Sequence, residues 1–177
     1  MRKDRFKFFK ILSIIAFLLS LSVFVYFIIL PLIPVEVLLP ILPETSTFGY
    51  KKVVPNAYVQ EGVGVLTLSS NCLLVEGVTE EWIAKSIING LANSTEFRPD
   101  AHDVLRDLLK SLEIKVLMVK IVDIVDNTFI GRLILKQGNK IVSLDVRPSN
   151  GIALAVRVGA PVYIREDLLT KYGKQVC

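Results

Sequence analysis

Residues 11–30 form a mostly apolar run of 20 residues without a charge, and no other feature limits the fold of this chain as strongly. As an α-helix, a run of this length extends about 30 Å, which matches the hydrocarbon core of a bilayer. The run is apolar on every side, so a helix with one face in a protein core is a poor alternative. No small-residue cleavage pattern of the A-x-A kind follows it, as it would after a signal peptide. The run therefore predicts one uncleaved transmembrane helix that contacts membrane lipid through residues 11–30.

The net charge of the chain is concentrated before this run. Of 21 basic and 17 acidic residues, five basic residues and Asp4 lie within residues 1–10, which leaves 16 of each sign in the rest. Basic residues beside a membrane span favour the cytoplasmic side. We therefore predict a single-pass protein of the cell membrane, with a basic cytoplasmic tail at residues 1–10 and an extracytoplasmic C-terminal domain. The neutral remainder lacks the overall basic excess of many nucleic-acid-binding domains.

Four prolines follow the apolar run, at positions 31, 34, 40 and 43. Proline interrupts helices, and this stretch is too short to cross a bilayer a second time. We interpret residues 31–47 as a stiff, extended spacer at the membrane surface.

From residue 48 onwards the pattern is that of a globular α+β domain, predicted at residues 48–173 with a short tail at 174–177. Short runs rich in Val, Ile and Leu, separated by turn residues, predict a mostly antiparallel sheet. Three predicted helices begin at residues that can cap a helix N-terminus, namely Thr79, Asp100 (with Asp103 three residues on) and Ser149. The second helix has an apolar stripe that we expect to face the core: Val104, Leu105, Leu108, Leu109 and Leu112.

The two halves of this domain resemble each other, since each is predicted to contain three strands followed by a helix. Three positions match at spacings of 67 to 69 residues: Gly64 with Gly131, Asn71 with Asn139, and Gly90 with Gly159. We therefore expect a duplicated β-β-β-α unit, which requires the same strand order and directions in both halves.

Cysteine and histidine are too few for several kinds of site. One histidine excludes a His-rich metal centre, and two cysteines cannot form a four-cysteine zinc site. Cys72 lies in a predicted strand, where it would pack as a small apolar residue. Cys177 is the last residue and is expected to be mobile. The alternative is a disulfide between Cys72 and Cys177, which could form outside the cell.

Two motifs of the domain resemble signatures of the bifunctional nuclease (BFN) domain family. Residues 144–169, LDVRPSNGIALAVRVGAPVYIREDLL, resemble the family's R-P-S-D-A-I-A-L-A run and the G-A-P-I-Y turn after it. Residues 98–105, RPDAHDVL, resemble its R-P-x-T-H-D-L-L motif, and residues 77–81 resemble the loop into its first helix. Together these cover about residues 50–173 in the family's order, so the resemblance implies a BFN-like fold.

The resemblance also implies hydrolysis of DNA or RNA phosphodiesters. Nucleic acid is thus a possible partner that composition alone does not indicate. Such hydrolysis uses general acids and bases, a cation for the phosphate, or carboxylates that hold a divalent metal such as Mg²⁺ or Mn²⁺. The implied catalytic residues are Asp103, His102, Arg147 and Asp145. The implied metal ligands are Asp103 and Asp145, and Asp123 is a further carboxylate of interest.

Substrate would be bound at the start of the third helix, by Arg147, Ser149 and Asn150. Arg147 can hold a phosphate through two hydrogen bonds. The family has aspartate where this chain has Asn150, and asparagine keeps the size and hydrogen bonding of aspartate but cannot ionise.

Each of these residues also has a structural interpretation. Asp103 can cap its helix, Asp145 and Arg147 can pair along one strand, and His102 in a first helical turn can be an exposed polar residue. Trp82 is interpreted as a packing residue rather than a platform for base stacking. The sequence therefore supports two functions: a membrane-anchored nuclease, or a non-catalytic membrane-tethered module that binds a partner or assembles into a homo-oligomer.

Overall fold

The computed structural model describes residues 2–29 and 42–177, and the chain divides into two compact units, residues 1–39 and residues 40–177. The predicted spacer lies mostly outside the described residues, because residues 30–41 are not among them. Its last part, residues 42–47, belongs to the second unit. There, Lys120 Nζ donates to Ser46 O at 2.8 Å, and Thr45 is buried.

The first unit contains helix α1, Arg2–Ile29. Within it, Phe9–Ile29 is a span of 21 residues with a mean hydropathy of 2.7. Ser20 and Ser22 donate their hydroxyl hydrogens to backbone carbonyls of the preceding turn, both at 2.8 Å, so these polar groups do not interrupt the apolar surface. By length and composition α1 could cross a membrane, and a signal sequence near an N-terminus has the same properties.

The second unit is built on one eight-stranded sheet with the order β6-β5-β4-β7-β1-β2-β3-β8. Neighbouring strands are antiparallel except β4 and β7, which are parallel. This confirms the predicted α+β class with a mostly antiparallel sheet. The strands are β1 (Tyr50–Gln60), β2 (Val63–Ser70), β3 (Leu73–Thr79), β4 (Lys115–Val125), β5 (Thr128–Gln137), β6 (Lys140–Val146), β7 (Val162–Arg165) and β8 (Lys174–Gln175).

Four helices accompany this sheet: α2 (Glu81–Leu91), α3 (Ala101–Ser111), α4 (Pro148–Val158) and α5 (Glu166–Tyr172). Helices α2 and α4 pack against each other and on the sheet, and α3 packs on α4. The α2–α4 contact is close at Gly90, where a Cβ atom would lie 2.6 Å from Val156 Cγ2. The core between these layers consists of aliphatic side chains that are almost fully buried, including Ile83, Ile87, Val119, Ile152, Leu154 and Ile164.

The two halves share strand order and direction, as a duplicated unit requires. Each half is an antiparallel meander of three strands followed by a helix, with strands β1-β2-β3 in the first half and β4-β5-β6 in the second. The two meanders lie on either side of β7, and each has its first strand next to β7. Gly64 pairs with Thr79, and 67 residues later Gly131 pairs with Val146. The other two sequence matches are wrong. Asn71 corresponds to Gly138, both with positive φ in the second hairpin of their half, and Gly90 lies inside α2 whereas Gly159 ends α4.

Helix starts differ from prediction in two of three cases. Asp100 caps α3 in a complete capping box with Asp103, as predicted. Thr79 instead ends β3, and Glu80 takes the N-cap position of α2. Ser149 is the second residue of α4, because Pro148 with its fixed φ occupies the first position after Arg147.

The apolar stripe of α3 is mostly exposed, contrary to prediction. Leu109 is buried and Leu105 partly buried, but Val104, Leu108 and Leu112 are each about half exposed. α3 covers α4 rather than the sheet, so only one side of the stripe finds a neighbour.

The C-terminus is also held, rather than forming a mobile tail. Cys177 forms a disulfide with Cys72, with a Cα–Cα distance of 5.1 Å, and β8 pairs with β3 just before it. Cys72 lies in the β2–β3 turn and not in a strand, which leaves its side chain free to reach the chain end.

Candidate functional site

The N-termini of α2 and α4 meet at one end of the sheet. Glu80 and Arg147 are the N-cap residues of these two helices, and they form a two-pronged ion pair with N–O distances of 2.8 and 3.1 Å. Since β3 and β6 lie far apart in the strand order, this contact requires the sheet to be strongly curled. Hydrogen bonding from Arg147 lowers the pKa of the Glu80 carboxyl, which favours its ionised form.

A cleft of about 420 Å³ lies beside this ion pair, between the ends of β3 and β6 and the β4–β5 turn. Arg147, Thr79, Thr128 and Ser149 contribute polar groups to its lining, and Phe129 contributes an apolar wall. Ser149 is only 8% exposed, and it lines the cleft. A serine hydroxyl in the wall of a cleft can donate one hydrogen bond to a ligand and accept others from it.

The backbone at the start of α4 adds to the anion preference of this cleft. The first intrahelical hydrogen bond of α4 is donated by Gly151 N to Arg147 O, so the preceding N–H groups of Ser149 and Asn150 have no carbonyl within the helix. Helix N-termini attract negative charge, and Arg147 supplies a full positive charge beside this one. The side chains and backbone together are chemically suited to a phosphate group.

A buried polar cluster centred on His102 joins the middle of α2, the first turn of α3 and the last turn of α4. Ser86 Oγ donates to Asp100 Oδ2 at 2.5 Å and lies 2.8 Å from His102 Nδ1. The imidazole is 6% exposed and is stacked on the Trp82 ring, with centroids 5.9 Å apart and planes at 21°. Our interpretation of His102 as an exposed residue is therefore wrong, because α2 covers the first turn of α3.

Arg157 of α4 binds this cluster from the other side. Its Nε donates to Asp103 Oδ1 and one terminal nitrogen donates to Asp100 Oδ2, both at 2.8 Å. The other terminal nitrogen donates to the backbone carbonyls of Ser86 and Ala153, also at 2.8 Å. These bonds connect α2, α3 and α4, and they satisfy a guanidinium group whose side chain is only 2% exposed.

Burial and charge determine the protonation of this cluster. Burial lowers the pKa of His102, and this outweighs the nearby Asp100 carboxylate, which raises it. The imidazole is therefore neutral at pH 7. Partial burial would raise the pKa of Asp100, but hydrogen bonds from Ser86 and the backbone of Asp103, together with Arg157, lower it overall.

Asn150 is next to the cleft residue Ser149 in the chain and close to His102 of the buried cluster. It follows Ser149 in the first turn of α4, and its amide is close enough to His102 to raise the pKa of the imidazole. Its Oδ1 atom is buried and has no hydrogen-bond partner among the described residues. The position that carries aspartate in the resembled motif is thus beside the single histidine of the chain.

The structure brings some of the predicted residues together and separates others. Arg147, Ser149 and Asn150 share the start of α4, with His102 in contact with Asn150. Asp145 is separate: it is 75% exposed on β6, and its nearest cation is Arg132 at 3.9 Å. The expected pairing of Asp145 with Arg147 is wrong, since Arg147 binds Glu80.

The carboxylates do not form a ready metal site. Asp103 is 2% exposed; its Oδ1 accepts hydrogen bonds from Arg157 and Arg106, and its Oδ2 accepts one from the backbone of Asp100. Asp123 lies near Arg165 instead. Among residues 2–29 and 42–177 no three His, Cys, Asp or Glu side chains are grouped as metal ligands. The donor set present therefore does not fit the expected pair of Asp103 and Asp145, and the divalent metal stays a prediction.

Sequence reasoning missed Ser86, Arg157, Glu80 and the stacking of Trp82. Ser86 and Arg157 carry a usable signal, since each is a polar residue within the apolar face of a helix and must find a buried partner. Glu80 carries no such signal, because its contact with Arg147 depends on the curl of the sheet.

The fold and the site define an α+β domain with an anion-attracting cleft at paired helix N-termini. The model of the bifunctional nuclease domain family matches residues 78–176, and the chain belongs to that family. A similar protein is an uncharacterised protein of Mycobacterium tuberculosis (strain H37Rv), 40% identical over 76 residues, which are 43% of this chain and 44% of that protein.

Plant relatives are more distant. Bifunctional nuclease 2 of Arabidopsis thaliana is 28% identical over 107 residues, which are 59% of this chain and 32% of that protein. Bifunctional nuclease 1 of Oryza sativa subsp. japonica is 27% identical over the same length. The match thus spans less than half the length of each of these relatives.

Proposed function

We propose that this chain is a membrane-anchored nuclease that hydrolyses phosphodiester bonds of DNA or RNA. Membership of the bifunctional nuclease domain family and the names of the plant relatives supply the reaction class. One observation carries the assignment to a place in the fold: Arg147 and Ser149 line the same cleft at the start of α4. A phosphodiester would take the place of the Glu80 carboxylate on Arg147, because carboxylate and phosphate bind a guanidinium in the same two-pronged way.

The remaining residues have the following roles in this proposal. His102, neutral at pH 7, acts as the general base: it accepts a proton from the attacking water, whose oxygen forms the new bond to phosphorus as the P–O bond to the leaving alkoxide breaks. Asn150, whose amide influences the pKa of His102, follows the cleft residue Ser149 in α4. Asp103 and Arg157 are positioning residues that hold the first turn of α3, and with it His102. No step is assigned to Asp145 or to a metal, so dependence on Mg²⁺ or Mn²⁺ is a question for the assay.

The test is cleavage of labelled single-stranded DNA and RNA by the full-length chain in detergent, with Mg²⁺, Mn²⁺ or EDTA. Arg147→Ala should lower the cleavage rate at least tenfold. Arg132→Ala is the matched control, since Arg132 is an exposed arginine on β5 that faces Asp145. Absence of cleavage under all metal conditions, or equal rates for both variants, would contradict the proposal.

We further propose that α1 anchors the chain in the cell membrane with residues 42–177 on the outer side. The basic tail supports this orientation, and so does the Cys72–Cys177 disulfide, because disulfides persist outside the reducing cytoplasm. Protease added to intact cells should digest the domain at the outer surface. Protection of the domain in intact cells, with digestion after lysis, would reverse the orientation.

The alternative function is a tethered module that binds a partner or forms a homo-oligomer. The exposed half of the α3 stripe, Val104, Leu108 and Leu112, favours this alternative, as does Asn150 in place of an aspartate. Sedimentation of the full-length chain with and without Leu108→Lys tests it. Association that the substitution abolishes, together with an inactive wild-type chain, would establish the alternative over the nuclease.

A further inference from the structure

We propose that Trp82 is a stacking platform for an unpaired base, so that the substrate of this site is single-stranded nucleic acid. The inference rests on the proposed nuclease function, because it names the form of nucleic acid that the same site binds. Its basis is the placement, exposure and charge surroundings of the only tryptophan in the chain.

Trp82 lies in the first turn of α2, close in the chain to the ion pair beside the cleft. It is the second residue of α2, two residues after Glu80, and Glu80 is bound by Arg147 at the mouth of the cleft. Its ring stacks on His102, which in turn contacts Asn150 of α4. The indole is thus about 3 Å further along the axis of α2 than Glu80, and in this proposal a nucleotide of the strand bound at Arg147 places its base on it.

The exposure of Trp82 is unusual for a residue that only packs. It is 54% exposed, whereas its helix neighbours Ile83, Ala84 and Ile87 are completely buried. The contact with His102 supports the ring from one side and fixes its orientation. A fixed aromatic ring with exposed surface costs little entropy when a base stacks on it, and stacking tolerates any base because each has a π-face.

Acidic side chains near Trp82 do not exclude a polyanion, because each has a cationic partner. Glu81 is paired with Lys85 at 2.6 Å, Glu80 with Arg147 at 2.8 Å, and Asp100 with Arg157 at 2.8 Å. The surroundings of the ring are therefore close to neutral before a strand binds. When a phosphate takes the place of Glu80 on Arg147, the Glu80 carboxylate, 44% exposed, is released to solvent. A duplex would not fit this arrangement, since its bases are stacked on each other and paired.

The single tryptophan allows a direct measurement of stacking. We expect the intrinsic fluorescence of the full-length chain in detergent and EDTA to be quenched by a thymidine hexanucleotide. An abasic hexanucleotide with the same phosphates, and a duplex, should not quench it. Equal quenching by the abasic strand would overturn the proposal, because it would show an effect of phosphate binding alone.

Substitutions provide the second measurement, by anisotropy of a labelled thymidine hexanucleotide. Base stacking is worth about 1–3 kcal/mol, so Trp82→Ala should weaken binding by a factor of about 5–150, and Trp82→Phe should retain most of it. Phe48→Ala is the control, since Phe48 is an exposed aromatic residue before β1. Unchanged binding by Trp82→Ala would also overturn the proposal, and near-ultraviolet circular dichroism establishes that the variants are folded.

The two proposals can fail separately. Base-dependent quenching without cleavage would support the stacking site and contradict the nuclease assignment. Cleavage by the wild-type chain with an unaffected Trp82→Ala variant would support the nuclease and contradict the stacking site.

Discussion

Arg157 Nε donates a hydrogen bond of 2.8 Å to Asp103 Oδ1, and these two oppositely charged side chains are only 2% and 3% exposed. The pair joins α4 to the first turn of α3, where Asp103 also completes the capping box with Asp100. A buried charge is tolerated only with its partner in place, so this contact couples the folding of α3 to that of α4.

We expect Arg157→Met to destabilise the domain by about 3–5 kcal/mol, because it leaves the buried Asp103 carboxylate with only the longer contact to Arg106, at 3.4 Å. Urea unfolding followed by Trp82 fluorescence measures this change. Arg165→Met is the matched control: Arg165 forms exposed ion pairs with Asp167 and Asp123, so a loss of about 0–1 kcal/mol is expected. Similar losses for both variants would mean that Arg157 has no special structural role.

The Cys72–Cys177 disulfide should contribute up to about 4–5 kcal/mol of stability, because it closes a loop of 105 residues and restricts the unfolded chain. Thiol titration of the denatured, unreduced protein should find no free cysteine. Reduction should lower the urea midpoint of the wild-type chain to that of a Cys72→Ser/Cys177→Ser variant. Reductant should leave the variant unchanged, and two titratable thiols in the purified protein would show that the bond is absent.

Stability should fall as the pH is lowered below about 6.5, the ordinary pKa of histidine. Burial lowers the pKa of His102 in the folded protein, so below that pH the unfolded chain binds a proton that the folded one does not. The expected slope is at most about 1.4 kcal/mol per pH unit, until the folded-state pKa is reached. The single histidine gives one imidazole Cε1–H signal, whose NMR titration must show a midpoint below 6.5. His102→Gln should remove this part of the pH dependence.

Asn150→Asp should raise the pKa of His102, because it places a carboxylate beside the imidazole. The same NMR signal measures the change in midpoint. Asp145→Asn is the control for a change in charge, since Asp145 is exposed on β6 and faces Arg132. If Asn150→Asp leaves the midpoint unchanged, Asn150 and His102 are not coupled and the proposed connection between cleft and histidine is wrong.

Much of the local structure could be predicted because it depends on neighbours in the chain. Residues 11–29 of the apolar run lie in helix α1, and Asp100 and Asp103 form their capping box, since both patterns depend on residues that are close in the chain. Strand β2 follows the alternation of its sequence, with Gly64, Leu66 and Leu68 buried and the residues between them more exposed. The same local rules predict Thr79 and Ser149 as caps, but β3 continues through Thr79, and Pro148 shifts the start of α4.

The sequence by itself determined the apolar helix, the α+β class and the resemblance to the nuclease family, because composition, periodicity and short motifs are properties of adjacent residues. Only the tertiary structure decided which charges meet. Arg147 binds Glu80 rather than Asp145, Arg157 reaches Asp103 across 54 positions, and Cys72 reaches Cys177. These contacts depend on the curl of the sheet and the packing of α2 on α4, and no local pattern specifies the distance between residues so far apart in the chain.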